Sequence, residues 1–218
     1  MARDACKNRL LAFSLVLIAS VLSACSLNQT HSTADHQTFS LREGDLAKYG
    51  LAFITPSTVT GQEQDKQTLA FIFANVMQER RSDLRIVTLP ETLSAINRAN
   101  IAGDYKLMYV DYRDTGVFKR DLLQKVGEAT NTRYLAQLKL AAFSQGSNDR
   151  LSLLGVRVMA TKQANIRIFF QIWDSKDGSI AWEGTEEMNF SWDSVTENPV
   201  SFTAIVEKTA RNLIALMP

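Results

Sequence analysis

Residues 166–192 read IRIFFQIWDSKDGSIAWEGTEEMNFSW. Ile166 to Asp174 is an apolar run of strand length. Asp174-Ser-Lys-Asp-Gly178 has the composition of a tight hairpin turn, with glycine where a positive φ is needed. Beyond it the side chains alternate. Ile180, Trp182, Gly184, Met188, Phe190 and Trp192 share one parity; Ala181, Glu183, Thr185, Glu187, Asn189 and Ser191 share the other. Period two is the pattern of a strand buried on one face. Glu186 alone interrupts the apolar side. Antiparallel strands are therefore predicted at 166–174 and 180–192, paired around Asp177-Gly178.

Upstream, Arg133 to Phe143 reads as a strand, preceded by a helix marked by Phe118, Leu122, Val126 and Ala129. Downstream, Asn198-Pro199 opens a last helix with Phe202, Ile205, Val206, Thr209, Leu213 and Leu216 turned inward. Further back, Tyr49 to Thr55 is a short buried strand. Thr60 to Glu63 and Thr88 to Glu91 both have capping-box spacing, predicting helices over 62–81 and from Thr88 to about Asn100. Leu84 to Thr88 is a strand between them. The expected order is β-α-β-α-(insert)-α-β-β-β-α. The fold class is α/β: a single domain with a mixed sheet and helices packed on it.

The insert, 101–116, breaks this alternation and holds Tyr105, Tyr109 and Tyr112. If helical, they fall on one face with Met108. Such a stripe packs on the sheet with its hydroxyls at the rim, or it meets a partner. Asp104, Lys106, Asp111, Arg113 and Asp114 could form the polar rim of an interface. The segment is expected to belong to a protein-contact surface, with the three tyrosines as its partner-binding residues.

The amino terminus sets the address. Arg3, Lys7 and Arg9 precede an apolar stretch from Leu10 to Leu22, too short to span a bilayer but suited to a secretory signal. Leu22-Ser23-Ala24-Cys25 follows and looks like the lipobox of bacterial lipoproteins. Residues 1–24 are thus a signal peptide and Cys25 the lipidated residue. The chain has two cysteines, Cys6 and Cys25. Only Cys25 survives processing, and acylation consumes it, so no thiol is left for a disulfide or a nucleophile. By resemblance to sorted lipoproteins, Ser26 in place of Asp favours the outer membrane, on its periplasmic face. Residues 25–45 read as lipidated cysteine and flexible tether, and 46–218 as the folded domain. His31 and His36 sit in the tether and read as solvated.

Of the 218 residues 45% are hydrophobic and the net charge is +1. That suits a globular domain and argues against nucleic-acid binding, which draws on a basic surface. Two histidines and two cysteines leave no room for a zinc site with four such ligands. No nucleophile elbow, His-Glu-x-x-His or phosphate-cradling glycine loop is present. The expectation is no enzyme, no cofactor, no metal and no evident small-molecule substrate.

The layout resembles lipid-anchored periplasmic domains of the CsgG/PelC/LpoB type, related in fold to the N-terminal domain of TolB. The residues that carry this are Asn131-Thr-Arg-Tyr-Leu-Ala-Gln-Leu-Lys-Leu140, Ile166 to Asp174 and Asp177-Gly-Ser-Ile-Ala-Trp182. The resemblance spans roughly residues 46–216 and implies a non-catalytic role in envelope assembly or export. Its partners would be the membrane, through the lipid, other envelope proteins and further copies of the chain. The long hairpins that build the curli-type pore are not evident. Neither 101–116 nor 144–165 carries two clean alternating runs of the ~9–11 residues that a spanning strand needs. Two alternatives stand beside the docking module: a polysaccharide- or peptidoglycan-proximal binding module, and a carboxylate enzyme of unrecognised type.

Overall fold

The sheet is organised around the hairpin at Asp174–Ser179. Asp174 N–H donates to Ser179 O at 2.9 Å, and Gly178 N–H donates to Asp174 O at 2.8 Å. Gly178 takes a φ of +83°, which its lack of a side chain permits. A computed structural model of the chain describes residues 29–153, 156–194 and 201–218.

In chain order the elements are β1 (Gln29–Thr38), α1 (Asp45–Tyr49), β2 (Leu51–Phe53), β3 (Ser57–Thr58), α2 (Glu63–Arg80), β4 (Ile86–Val87) and α3 (Leu89–Arg98). Then come α4 (Ala102–Thr115), α5 (Arg120–Thr130), β5 (Tyr134–Leu153), β6 (Val156–Asp174), β7 (Ile180–Ser194) and α6 (Phe202–Ala215). The strands lie side by side as β1-β7-β6-β5-β2-β4, with β3 beside β5. β2 runs parallel to both β4 and β5, while β5, β6, β7 and β1 are mutually antiparallel. The mixed sheet with packed helices is the expected fold class.

Each sheet face has its own core. On one face, Leu51, Phe53, Leu138, Ile168, Phe170, Ile172 and Trp182 meet α2 and α6. On the other, Ala52, Ile54, Leu135 and Trp173 meet α3, α4 and α5 through Ile96, Met108, Phe118, Leu123 and Val126. Arg211 of α6 ties the first pair of helices together by bonding Glu79 at 2.8 Å, beside its own-helix partner Glu207 at 2.9 Å.

The hairpin departs from strict alternation at one point. Trp182 pairs with Ile172, but Ile180 pairs with Trp173, so Ala181 is an extra residue in β7. A bulge of this kind reverses the side-chain parity. Ile180, expected beside Trp182, therefore packs with Trp173 on the opposite face. Trp192 and the Asn198-Pro199 helix opening lie outside the residues whose side chains are described. The last helix starts at Phe202, where Ser201 Oγ accepts from Ala204 N–H at 3.2 Å.

The two capping-box readings divide. At Thr88 both reciprocal bonds form, with Glu91 Oε2 accepting from Thr88 N–H at 2.7 Å. At Thr60 the box is absent. Gly61, at φ +68°, closes a turn onto Thr58 O before the helix begins, and Thr60 Oγ1 donates to Asp65 instead. The strand expected over 84–88 shortens to Ile86–Val87.

The larger correction concerns residues 26–45. From Gln29 on they are not a flexible tether. Gln29 to Thr38 pairs along its whole length with β7, so the sheet begins well before residue 46. A ladder needs backbone groups rather than apolar side chains, and this strand closes the edge β7 would otherwise present. His31 and His36 are exposed on it. The insert 101–116 is also regular: it is α4. Residues 144–153 continue β5, and 156–165 belong to β6.

Candidate functional site

Parallel strands whose crossovers leave in opposite directions open a crevice at their carboxyl ends. Here β2 has β5 on one side and β4 on the other. The crossover through α2 covers one face, and that through α3, α4 and α5 the other. The crevice beyond β2 is about 630 Å³, with walls from Thr55 to Thr58, the approach to α2, and α4. The tyrosine helix predicted to carry function therefore forms one side of it.

The tyrosines are half-buried and committed to the strand end. Tyr105 Oη accepts from Thr55 N–H at 2.8 Å, and Tyr109 Oη donates to Thr55 O at 2.7 Å. The two hydroxyls lie 3.3 Å apart. Behind them the rings join the core. Tyr109 meets Phe118 edge-on at 5.6 Å, Tyr112 stacks on it at 4.1 Å, and Phe118 abuts Trp173 at 5.1 Å. Burial raises all three phenols above their usual range, Tyr109 most, and for Tyr112 the nearby Glu183 adds to the rise. They stay protonated and remain donors. The stripe thus packs on the sheet with its hydroxyls at the rim, and Tyr109 and Tyr112 also line the crevice.

The basic wall residues Lys66, Lys106, Arg113 and Lys139 come from two helices, α2 and α4, and from β5. Lys106 and Arg113 had been read only as rim charges, and Lys66 and Lys139 carried no signal. Lys106 and Arg113 share α4, but only the fold brings Lys66 of α2 and Lys139 of β5 to them. Thr55-Pro56-Ser57-Thr58 was equally silent, although a proline after a buried strand marks where it ends.

A second cleft, about 670 Å³, opens at the other end of the parallel strands between Lys48, Arg85, Glu128, Arg133 and Lys176. One of its four cations, Arg133, is paired with a carboxylate among the described residues. Arg133 Nη2 bonds Asp174 at 2.6 Å, Arg85 bonds Asn131 O at the end of α5, and Glu128 stands in the wall. The bonds of Arg133 and Arg85 tie β5, the Asp174 turn and the end of α5 together.

Glu186, the one break in the apolar face, is fully buried. Its Oε1 accepts from Ser32 Oγ and, at 2.7 Å, from Asn212 Nδ2, while Oε2 has no partner. Burial pushes its pKa above the usual carboxylate value, opposed by those two bonds and by the charge of Lys208. The folded state therefore binds its proton more tightly than the unfolded chain does, and folding stability falls as pH rises through this range. Glu186→Gln is expected to flatten that slope. Urea unfolding from pH 4 to 7 should show the variant gaining on the parent as pH rises; a constant difference would count against it. Among the described residues Glu186 bonds Ser32 and Asn212 and no second acid. Among the described residues no group of three or more His, Cys, Asp or Glu is placed to hold a metal ion.

Cys25, Ser26 and the signal segment lie outside the described residues. Among the described residues no helix is long and apolar enough to cross a membrane. No protein-family model matches the chain, and no curated protein matches it. Among solved structures it is similar to a PelC dodecamer from Paraburkholderia phytofirmans, at 13% identity over 85% of this chain and 93% of that one, with a TM-score of 0.43. It is also similar to the lipoprotein GNA1162 from Neisseria meningitidis, at 12% identity over 76% of this chain and 96% of that one, with a TM-score of 0.37. At these values the likeness is one of layout and carries no role across.

Proposed function

We propose that this protein is exported, acylated at Cys25 and held on the periplasmic face of the outer membrane, where it acts without catalysis as a docking or assembly module for envelope proteins, including further copies of itself. The lipobox at Leu22 to Cys25 and the neutral Ser26 after it support the address. The observation that carries the reading is the start of β1. The described pairing reaches back to Gln29, so no more than three residues, Ser26, Leu27 and Asn28, separate the acylated cysteine from the sheet. Four extended steps span at most about 14 Å. The domain is thus presented close to the bilayer, and its contact surface is the α4 face with Tyr105, Tyr109 and Tyr112. The alternative, a polysaccharide- or peptidoglycan-proximal module, would use Tyr109 and Tyr112 as ring-stacking walls.

Cys25→Ala is the test. The variant is expected to remain unlipidated and to vanish from outer-membrane fractions, while a photo-crosslinker at Leu107, exposed on α4, captures envelope proteins in intact cells only when Cys25 is present. Full retention of the variant in the outer membrane would show that anchoring does not depend on this cysteine.

A further inference from the structure

We propose that the crevice beyond β2 binds an acidic peptide segment of the docked partner. This rests on the docking reading above and adds the partner's chemistry. Apart from tyrosine, every ionisable side chain in the crevice wall is basic: Lys66, Lys106, Arg113 and Lys139. Two of these charges are partly spent, Lys66 on Glu63 at 3.3 Å and Arg113 on Asp114 at 3.1 Å. Lys106 has no ion-pair partner among the described residues. The Lys139 ammonium sits 6.0 Å from the centre of the Phe169 ring and likewise meets no carboxylate. The next acid along, Glu183, bonds Gln171 on the sheet beyond Tyr112. Two uncompensated ammonium groups therefore flank a crevice with no acid of its own.

The backbone adds a second preference. β3 pairs with β5 alone, and β4 extends only as far as Ala52, so the outer side of Ser57–Thr58 has no neighbouring strand. An unpaired edge accepts an extended peptide through main-chain hydrogen bonds. A free edge and two unmatched lysines in one crevice suit an extended segment carrying Asp or Glu side chains. The tyrosines clamp Thr55 from the far side, so the edge is preformed and little ordering is left to pay for on binding.

The experiment uses the full acylated chain in detergent micelles and a fluorescent short Asp/Glu peptide, read by anisotropy. The peptide is expected to bind saturably and to weaken as salt is added. Its Asn/Gln counterpart should bind about tenfold weaker, as should the acidic peptide to Lys106→Gln/Lys139→Gln, with Lys→Arg at both positions retaining most of the affinity. Both lysines are exposed, so folding is not at issue. Equal binding of the Asn/Gln peptide, or an unaffected double Gln variant, would overturn the proposal. Succinate competing as well as the peptide would overturn it in favour of a small-carboxylate site. If the peptide fails while the Leu107 crosslinks persist in cells, the acidic-segment inference falls and the docking reading stands; loss of those crosslinks would sink the docking reading itself.

Discussion

Trp182→Ala should unfold the domain's larger core more readily than any other single truncation, at a cost of about 3–5 kcal/mol in urea unfolding. The indole is fully buried among α2, α6 and the sheet. It meets Phe170 edge-on at 5.6 Å and lies across Gly184, where an added Cβ would come within 2.4 Å of the ring. Gly184 therefore leaves the slot the indole fills, and nothing nearby can collapse into it. Trp182→Phe should cost less than half as much. It keeps much of the apolar volume and removes an indole N–H that has no hydrogen-bond partner. If Trp182→Phe proved as damaging as Trp182→Ala, shape rather than apolar volume would be what the site demands.

Arg133→Ala should come next, at about 3 kcal/mol. Arg133 holds Asp174 with a fork, its Nε 3.0 Å from each carboxylate oxygen and its Nη2 2.6 Å from one of them. Asp174 is 2% exposed, whereas the Arg133 side chain keeps 32% of its surface in water. The two deletions are therefore unequal. Removing the arginine leaves a buried carboxylate with no charged partner, held by the Lys176 N–H at 2.9 Å. Removing the aspartate frees a guanidinium that can turn to solvent, so Asp174→Ala should cost less. Arg133→Lys should recover less than half, because a single ammonium cannot reproduce the fork. Chemical denaturation of the three variants measures the order; equal losses for Arg133→Ala and Asp174→Ala would contradict it.

The hairpin around Gly178 was readable because its information is local: a turn composition and a parity. Even there the bulge at Ala181 was invisible, since one extra residue changes pairing without changing composition. The opposite case is β1. Its residues are polar, so no apolar pattern advertises them, and what recruits them is the edge of β7, which lies some 150 positions away in the chain. Glu186 stood out as an anomaly in an apolar series. Its explanation needed Ser32 from the stretch read as tether and Asn212 from the last helix. The tyrosine cluster was evident by spacing, yet its partner Thr55 sits 50 residues away. The lysines of the crevice could not be grouped at all, because charge on separate segments becomes a site only after the crossovers have chosen their sides of the sheet.

β1 is held to the sheet mainly by its backbone ladder with β7. Its side chains are exposed from Thr30 to Thr38, and beyond the ladder it is held by Ser32 on Glu186, by Lys208 Nζ donating to Thr30 Oγ1 at 3.1 Å, and by His36 stacked 6.4 Å from Trp182. Buried Leu41 pins the chain just past it. Were Cys25 acylated as proposed, a paired β1 would hold the domain close to the lipid headgroups, whereas a chain free as far as Leu41 would reach about 55 Å. That difference in reach sets the volume in which the domain can meet a partner, and it is opposed by the bond from Ser32 to the buried Glu186.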